Sequence, residues 1–242
     1  MRELQSGFTR DPPKFNCDGE FKKVPKPFPN STFAMFVVGK PKAGKTSFVV
    51  DILCNKKRRV YYKNFDWIYL IQPELSRNSI KRDPFKSIPN EQKFENFDLE
   101  TLNKLFDMVK ENSLHEENSL IFLDDVASHL KSGGRPLEMM FQKFFFLKRH
   151  LRCSLITAVQ RFSSLPKSIR AAQDVAVIFQ PANRAERQII IEEYLDLPRK
   201  TCHKMIEECY REPHDFIYTE LGTNTYFRNM NQIEFEPDEL NY

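Results

Sequence analysis

The residues best suited to chemistry form the run Gly39-Lys40-Pro41-Lys42-Ala43-Gly44-Lys45-Thr46, a G-x-x-x-x-G-K-T pattern. Its glycines let backbone N–H groups close around phosphate oxygens, and a helix opening behind them at Ser47 adds the positive end of its dipole. Lys45 supplies a mobile cation for the β- and γ-phosphates of a nucleotide, and the Thr46 hydroxyl is a hard oxygen ligand suited to Mg²⁺. The plainer reading is a chance match on a surface loop. Against it, the chain has only 7 glycines in 242 residues and two of them stand at this spacing. A second set is Asp124-Asp125, which ends the apolar run Leu120-Ile121-Phe122-Leu123. A strand buried on both faces has no use for carboxylates, so acids at its C-terminal tip lie where open α/β sheets bind ligands. There Asp124 can hold the Mg²⁺ shell, and Asp125 can orient or deprotonate a water, a task more often given to glutamate. The competing reading is a strand followed by an acidic turn. Gln160 ends another apolar run, and the same logic carries its amide to the same edge, to sense a γ-phosphate or hold water.

Elements that can position these groups alternate along the chain. Apolar strands are expected over residues 33–38, 67–71, 119–123, 153–160 and 174–180, and helices over 47–53, 99–111, 136–150, 184–195 and 199–210. Residues 74–95 read as mostly loop, as does the stretch with Lys131, Gly133, Gly134 and Arg135. Phe216-Ile217-Tyr218 and Tyr226-Phe227, joined across Gly222 and Asn224, read as a β-hairpin. The expected fold class is an α/β P-loop NTPase with a mainly parallel central sheet, helices on both faces and a C-terminal β-hairpin. The acid-tipped strand should stand apart from the P-loop strand, with another strand between them. Residues 1–30, with Pro12-Pro13 and Val24-Pro25-Lys26-Pro27-Phe28-Pro29, read as an extended arm, because repeated proline forbids helix. The ATPase domain is expected over 31–230, followed by an acidic, loose tail over 231–242.

Bulk composition narrows the classes. A hydrophobic content of 40%, with 22 phenylalanines, is enough to fill a core. A net charge of +4 permits a nucleic-acid partner without demanding one. The run Lys56-Lys57-Arg58-Arg59 reads first as a solvated turn and second as a DNA contact. Five scattered cysteines form no C-x-x-C pair, and Cys202, His203 and Cys209 fit no zinc spacing, which suggests ordinary thiols in a reducing compartment. No apolar run is long enough for a membrane span or a secretory signal, so a soluble, intracellular protein is expected.

The ordered set of P-loop, Leu120 to Asp125, Lys148-Arg149-His150, Leu155 to Gln160 and Leu165-Pro166-Lys167-Ser168-Ile169-Arg170 resembles the genome-packaging ATPases of large DNA viruses. These are the poxvirus-type members of the FtsK–HerA class of P-loop motors. Arg184-Ala185-Glu186, leading into Ile191-Glu192-Glu193-Tyr194, extends the likeness, which runs from about residue 33 to residue 195. The resemblance implies an ATP- and Mg²⁺-dependent DNA translocase that packages a double-stranded genome into a capsid. It implies a homo-oligomeric ring, pentamer or hexamer, working with capsid or portal-vertex proteins in the host cytoplasm, the viral factory or the virion. It also implies an arginine finger, Arg149 first and Arg135 second. Two departures stand out: Lys40-Pro41-Lys42 replaces small residues in the loop, and Asp125 is shorter than glutamate. Two other readings compete. A nucleoside or nucleotide kinase would transfer phosphate to a nucleoside monophosphate, and an ATP-gated assembly scaffold would lack robust turnover.

Overall fold

Alternation along each strand decides which side of the sheet its residues face. In the computed structural model, which describes residues 19–72 and 85–240, nine strands form one sheet. The first half of the chain supplies β1 (Ala34–Val38), α1 (Lys45–Cys54), β2 (Trp67–Ile71), β3 (Lys93–Phe94), α2 (Leu99–Leu114) and β4 (Ser119–Asp124). Then follow α3 (Ala127–Ser132), α4 (Gly134–Leu147), β5 (Cys153–Val159), α5 (Lys167–Ala171), β6 (Val175–Phe179), α6 (Arg184–Glu193) and α7 (Arg199–Cys209). Strands β7 (Phe216–Glu220), β8 (Thr225–Arg228) and β9 (Asn231–Gln232) complete the sheet. Its lateral order is β3-β2-β4-β5-β1-β6-β7-β8-β9. The strands from β3 to β6 run parallel, and β7, β8 and β9 add on antiparallel. Strand β5 separates β4 from β1, so the acid-tipped strand does stand one strand away from the P-loop strand. Parallel pairing brings the C-terminal tips of β1, β2, β4, β5 and β6 to one edge.

The two faces are covered by different means. Ala34, Phe36 and Val38 of β1 point into a core closed by α2, α3, α4, α6 and α7. Met35 and Val37 point the other way, into a core to which α1 is the only helix contributed by the described residues. The remainder of that second face is roofed with aromatic rings. Tyr61 and Phe65 come from the loop after α1, and Phe21 from the segment before β1; Phe21 meets both rings edge-on at 5.8 and 4.9 Å. Tyr61 also donates to the carbonyl of Pro29 at 2.9 Å. Much of the high phenylalanine content therefore replaces helices on this face. The described part of the N-terminal segment, from Gly19, lies on its own domain; Phe8, Phe15 and Pro12-Pro13 lie outside the described residues.

Three local expectations differ from the structure. The stretch with Lys131, Gly133, Gly134 and Arg135 is mostly helical rather than loop: Ala127 and Leu130, buried one turn apart, hold a helix that takes in Lys131, Gly133 keeps helical torsions, and α4 begins at Gly134. Part of the expected loop at 74–95 lies outside the described residues, and its end forms β3, which pairs with the edge of β2. The acidic end is not loose as far as Leu240. Phe235 packs edge-on against Tyr226 at 6.0 Å, Thr201 donates to the Glu239 carbonyl, and Lys204 pairs with the Glu239 carboxylate. A segment that buries an aromatic ring offsets its ordering entropy in a way its charge pattern does not reveal.

Candidate functional site

The loop between β1 and α1 turns through left-handed torsions at Lys42 (φ 64°) and Gly44 (φ 111°). Such turns aim successive backbone N–H groups into one concavity, the geometry of an anion nest. Gly39 is required for a steric reason as well, since a Cβ there would sit 2.6 Å from Cβ of Phe179. Helix α1 begins at Lys45, so its N-terminus faces the same concavity. The Lys45 ammonium donates to the carbonyls of Gly39 at 2.7 Å and Lys40 at 3.2 Å. Burial lowers the pKa of Lys45, and the charges of Asp124 and Asp125 oppose that shift. Lys40, Pro41, Lys42 and Ser47 are exposed around the nest; Lys40 reaches the Gln180 side chain at 3.4 Å. The two loop lysines thus stand outside the packed core, and Ala43 is the buried residue between them and the helix.

The tip of β4 supplies the opposing carboxylates. Asp124 is 7% exposed, and Oδ2 accepts from the Gln72 amide at 3.0 Å and from the Thr46 hydroxyl at 3.5 Å. Burial raises its pKa, the neighbouring Asp125 raises it further, and Lys45, Gln72 and Thr46 pull it back. Asp125 turns out of the strand with a left-handed φ of 58°, a region that a short polar side chain tolerates. Its backbone N–H donates to Ala158 at 3.0 Å, and its carboxylate accepts from the Gln160 amide at 2.8 Å. The structure therefore brings together Lys45, Thr46, Asp124, Asp125 and Gln160, as their positions in the sequence predict. Hard oxygens at Thr46 and Asp124 suit Mg²⁺, which takes one or two protein ligands and completes its shell with phosphate and water. Consistent with that economy, no cluster of three or more His, Cys, Asp or Glu residues is placed to hold a metal among the described residues.

The two arginine candidates lie apart. Arg149 sits in the turn before β5, at the opposite end of that seven-residue strand from Gln160. At about 3.3 Å per residue this is roughly 20 Å from the site edge. It cannot reach the P-loop of its own chain. Arg135 lies in the first turn of α4, and it lines a groove with Ser163 and Pro166 of the segment that follows Gln160.

Several site residues escaped the sequence reading. Gln72 ends β2 as Gln160 ends β5, so the same tip logic would have found it. The segment after Gln160 is braced by Arg170, Glu186 and Glu193, which belong to the stretches that carry the family likeness. Glu186 accepts from the Phe162 N–H at 2.7 Å. Arg170 donates to the carbonyls of Leu165 at 2.6 Å and Phe162 at 3.3 Å, and forks onto Glu193 with two bonds of 2.7 Å. Beside the nest opens a cleft of about 1010 Å³, bounded by Lys42 to Phe48, by Pro25 and Phe28, and by His214 and Phe216. The His214 ring reaches the Ala43 carbonyl at 3.0 Å.

B204, the DNA-packaging ATPase of Sulfolobus turreted icosahedral virus, superposes with a TM-score of 0.62 at 13% identity, covering 84% of this chain and 98% of that one. The genome-packaging NTPase B204 of Sulfolobus turreted icosahedral virus 2, solved with ATP-gammaS, gives 0.59 at 16% identity, covering 81% and 96%. ATPases 2 and 3 of EssC from Geobacillus thermodenitrificans give 0.58 at 10% identity, covering 86% of this chain and 41% of that one. At such identities the likeness is one of fold, the P-loop NTPase fold that the sheet order already indicates. No curated protein matches the sequence. Residues 21–207 match the family described as Poxvirus A32 protein, which spans the P-loop, the acid pair, Gln160 and the brace. The chain belongs to the poxvirus A32 protein family.

Proposed function

We propose that this protein is an ATP-hydrolysing motor that drives double-stranded viral DNA into a capsid. The observation that carries the reading is the convergence at one sheet edge of the P-loop with Asp124, Asp125 and Gln160, in a chain of this family. Phosphoryl transfer needs little covalent help and much positioning and charge neutralisation. Lys45 and the α1 N-terminus face the β- and γ-phosphates. Thr46 and Asp124 are the residues that would hold Mg²⁺, whose contribution when bound is to neutralise phosphate charge. Asp125 accepts the proton of the attacking water, and Gln160, one hydrogen bond away, positions that carboxylate. The structural relatives, a DNA-packaging ATPase and a genome-packaging NTPase solved with ATP-gammaS, favour the same substrate and task.

The motor reading extends to assembly. An arginine that meets the charge building on the γ-phosphate comes from a neighbouring copy in a closed ring of five or six. Arg149, on the far edge of its own sheet, and Arg135, on the site side, are the two candidates. Capsid or portal-vertex proteins are the expected docking partners, and the viral factory in the host cytoplasm the expected place of work. No described helix is long and apolar enough to cross a membrane. The test is phosphate release from ATP with and without duplex DNA. Duplex DNA should raise the rate, and Lys45→Ala and Asp125→Asn should each lower it by at least about 10²-fold. Hydrolysis indifferent to both substitutions and to DNA would refute the proposal.

A further inference from the structure

We infer that the aromatic cleft beside the P-loop is the seat of the nucleobase, built from three separate chain segments, and that it binds a purine ring by stacking. The inference rests on the P-loop reading above and concerns the end of the ligand that the P-loop does not touch. Phe48 of α1 stands two residues behind Thr46, so the apolar strip begins beside the phosphate nest. Its ring lies 5.2 Å from that of Phe216 at the start of β7, and 6.5 Å from that of Phe28 in the segment before β1. Phe216 in turn packs on Phe179, at the tip of β6, with centroids 5.5 Å apart. Phe28, Phe48 and Phe216 are all only half-buried, and all three line the cleft. The cleft's volume of about 1010 Å³ is at the upper end of ordinary small-molecule pockets.

The rim is held rigid, and two of its polar side chains, Asp215 and Asn229, are already engaged. Tyr218 donates to the Pro27 carbonyl at 2.9 Å and meets the Phe28 ring edge-on at 5.5 Å, fixing that segment to the hairpin. Asn229 accepts from the Phe216 N–H at 3.0 Å and donates to Asp215. Asp215 also takes Arg228 and the N–H groups of Arg211 and Glu212. With those side chains committed to the protein, ring area is what the strip offers a base. Stacked area favours purines over pyrimidines, since every base has a π-face and purines have the larger one.

The experiment is calorimetric titration of the full chain with ATP, with CTP and with inorganic tripolyphosphate, which has the phosphates and no base. Wild type should bind ATP more tightly than CTP. Phe28→Ala and Phe216→Ala should each weaken ATP about 10-fold, the loss expected for one stacking partner, while tripolyphosphate affinity stays within about 2-fold. If an alanine variant loses tripolyphosphate as well, Phe216→Leu decides, because it keeps the packing volume and removes the π-face. Selective loss of ATP in Phe216→Leu supports the seat, and unchanged ATP affinity overturns it. Equal affinity of wild type for ATP and tripolyphosphate also overturns it. Lys45→Ala reads the other end, since both ligands should weaken together there. Their binding unchanged in Lys45→Ala would contradict the P-loop reading and not the base seat.

Discussion

The two edges of the parallel sheet use the same residue types for opposite ends. At the N-terminal edge, Asp174 accepts from the Ala34 N–H at 2.7 Å and from Lys148, whose ammonium lies 2.9 Å from Oδ2. Lys148 also donates to the Ala172 carbonyl at 3.2 Å, and Asp174 and Ala34 share a backbone bond of 2.8 Å. The lysine and the aspartate there neutralise each other and clamp β1 to the start of β6. At the C-terminal edge, Lys45 bonds, among the described residues, only to carbonyls of its own loop, and Asp124 and Asp125 are shared among a hydroxyl and two amides. Burial has shifted the pKa of Lys45 down and that of Asp124 up, so neither charge is fully compensated. A closed pair stabilises a fold; an open one stores electrostatic potential for a ligand.

Substitutions can break this contrast in a graded order. Lys45→Ala should cut ATP turnover by about 10³-fold, as removal of a cation aimed at transition-state charge does, and leave thermal stability close to wild type. Gln160→Ala should lower kcat by about 10²-fold through misplacement of Asp125, with ATP affinity retained. A parallel fall in kcat and affinity would mean that Gln160 contacts the nucleotide instead. On the opposite edge, Lys148→Ala should cost about 1–2 kcal/mol in denaturant unfolding while kcat per folded molecule is unchanged. Loss of turnover without loss of stability in that variant would invert the comparison.

The smallest effect is one of pH. Burial alone would raise the Asp215 pKa, but Arg228, Asn229 and the Glu212 N–H bring it down to about 2. A carboxylate depressed in the folded state adds stability above its unfolded pKa of about 3.9, and that contribution is lost as pH falls toward the folded value. Asp215→Asn should therefore be less stable than wild type at pH 7, with the gap closing between about pH 4 and pH 2. A gap constant with pH would mean that the ring of hydrogen bonds, rather than the charge, holds the hairpin.

Legibility in the sequence followed the same division. Residues at strand tips could be found because polar side chains ending apolar runs are costly unless used, which is how Asp124, Asp125 and Gln160 stood out. Gln72 obeys the same rule, but in the sequence the adjacent Pro73 gives it the look of a loop residue. The strand standing between β4 and β1 followed from the ordered motifs. The roles of Arg170, Glu186 and Glu193 did not, because they meet through side chains 23 or 24 residues apart on separate elements. The base seat was hidden for a similar reason. Phe28, Phe48 and Phe216 are distant in sequence, where they read as parts of an arm, a helix and a hairpin. Arg149 was legible as part of a likeness, but only the strand direction shows that it faces away from its own nest.

The central claim is that Asp125 acts on the water rather than on the nucleotide. Asp125→Asn keeps the shape and the left-handed backbone that asparagine tolerates, and it removes the basic carboxylate. Single-turnover hydrolysis and equilibrium ATP binding, measured on that variant with duplex DNA present, separate the two roles. Binding within about 3-fold of wild type with the chemical step slowed by at least about 10²-fold is the result expected of a lost general base. An undiminished chemical step, or a loss confined to affinity, would contradict it.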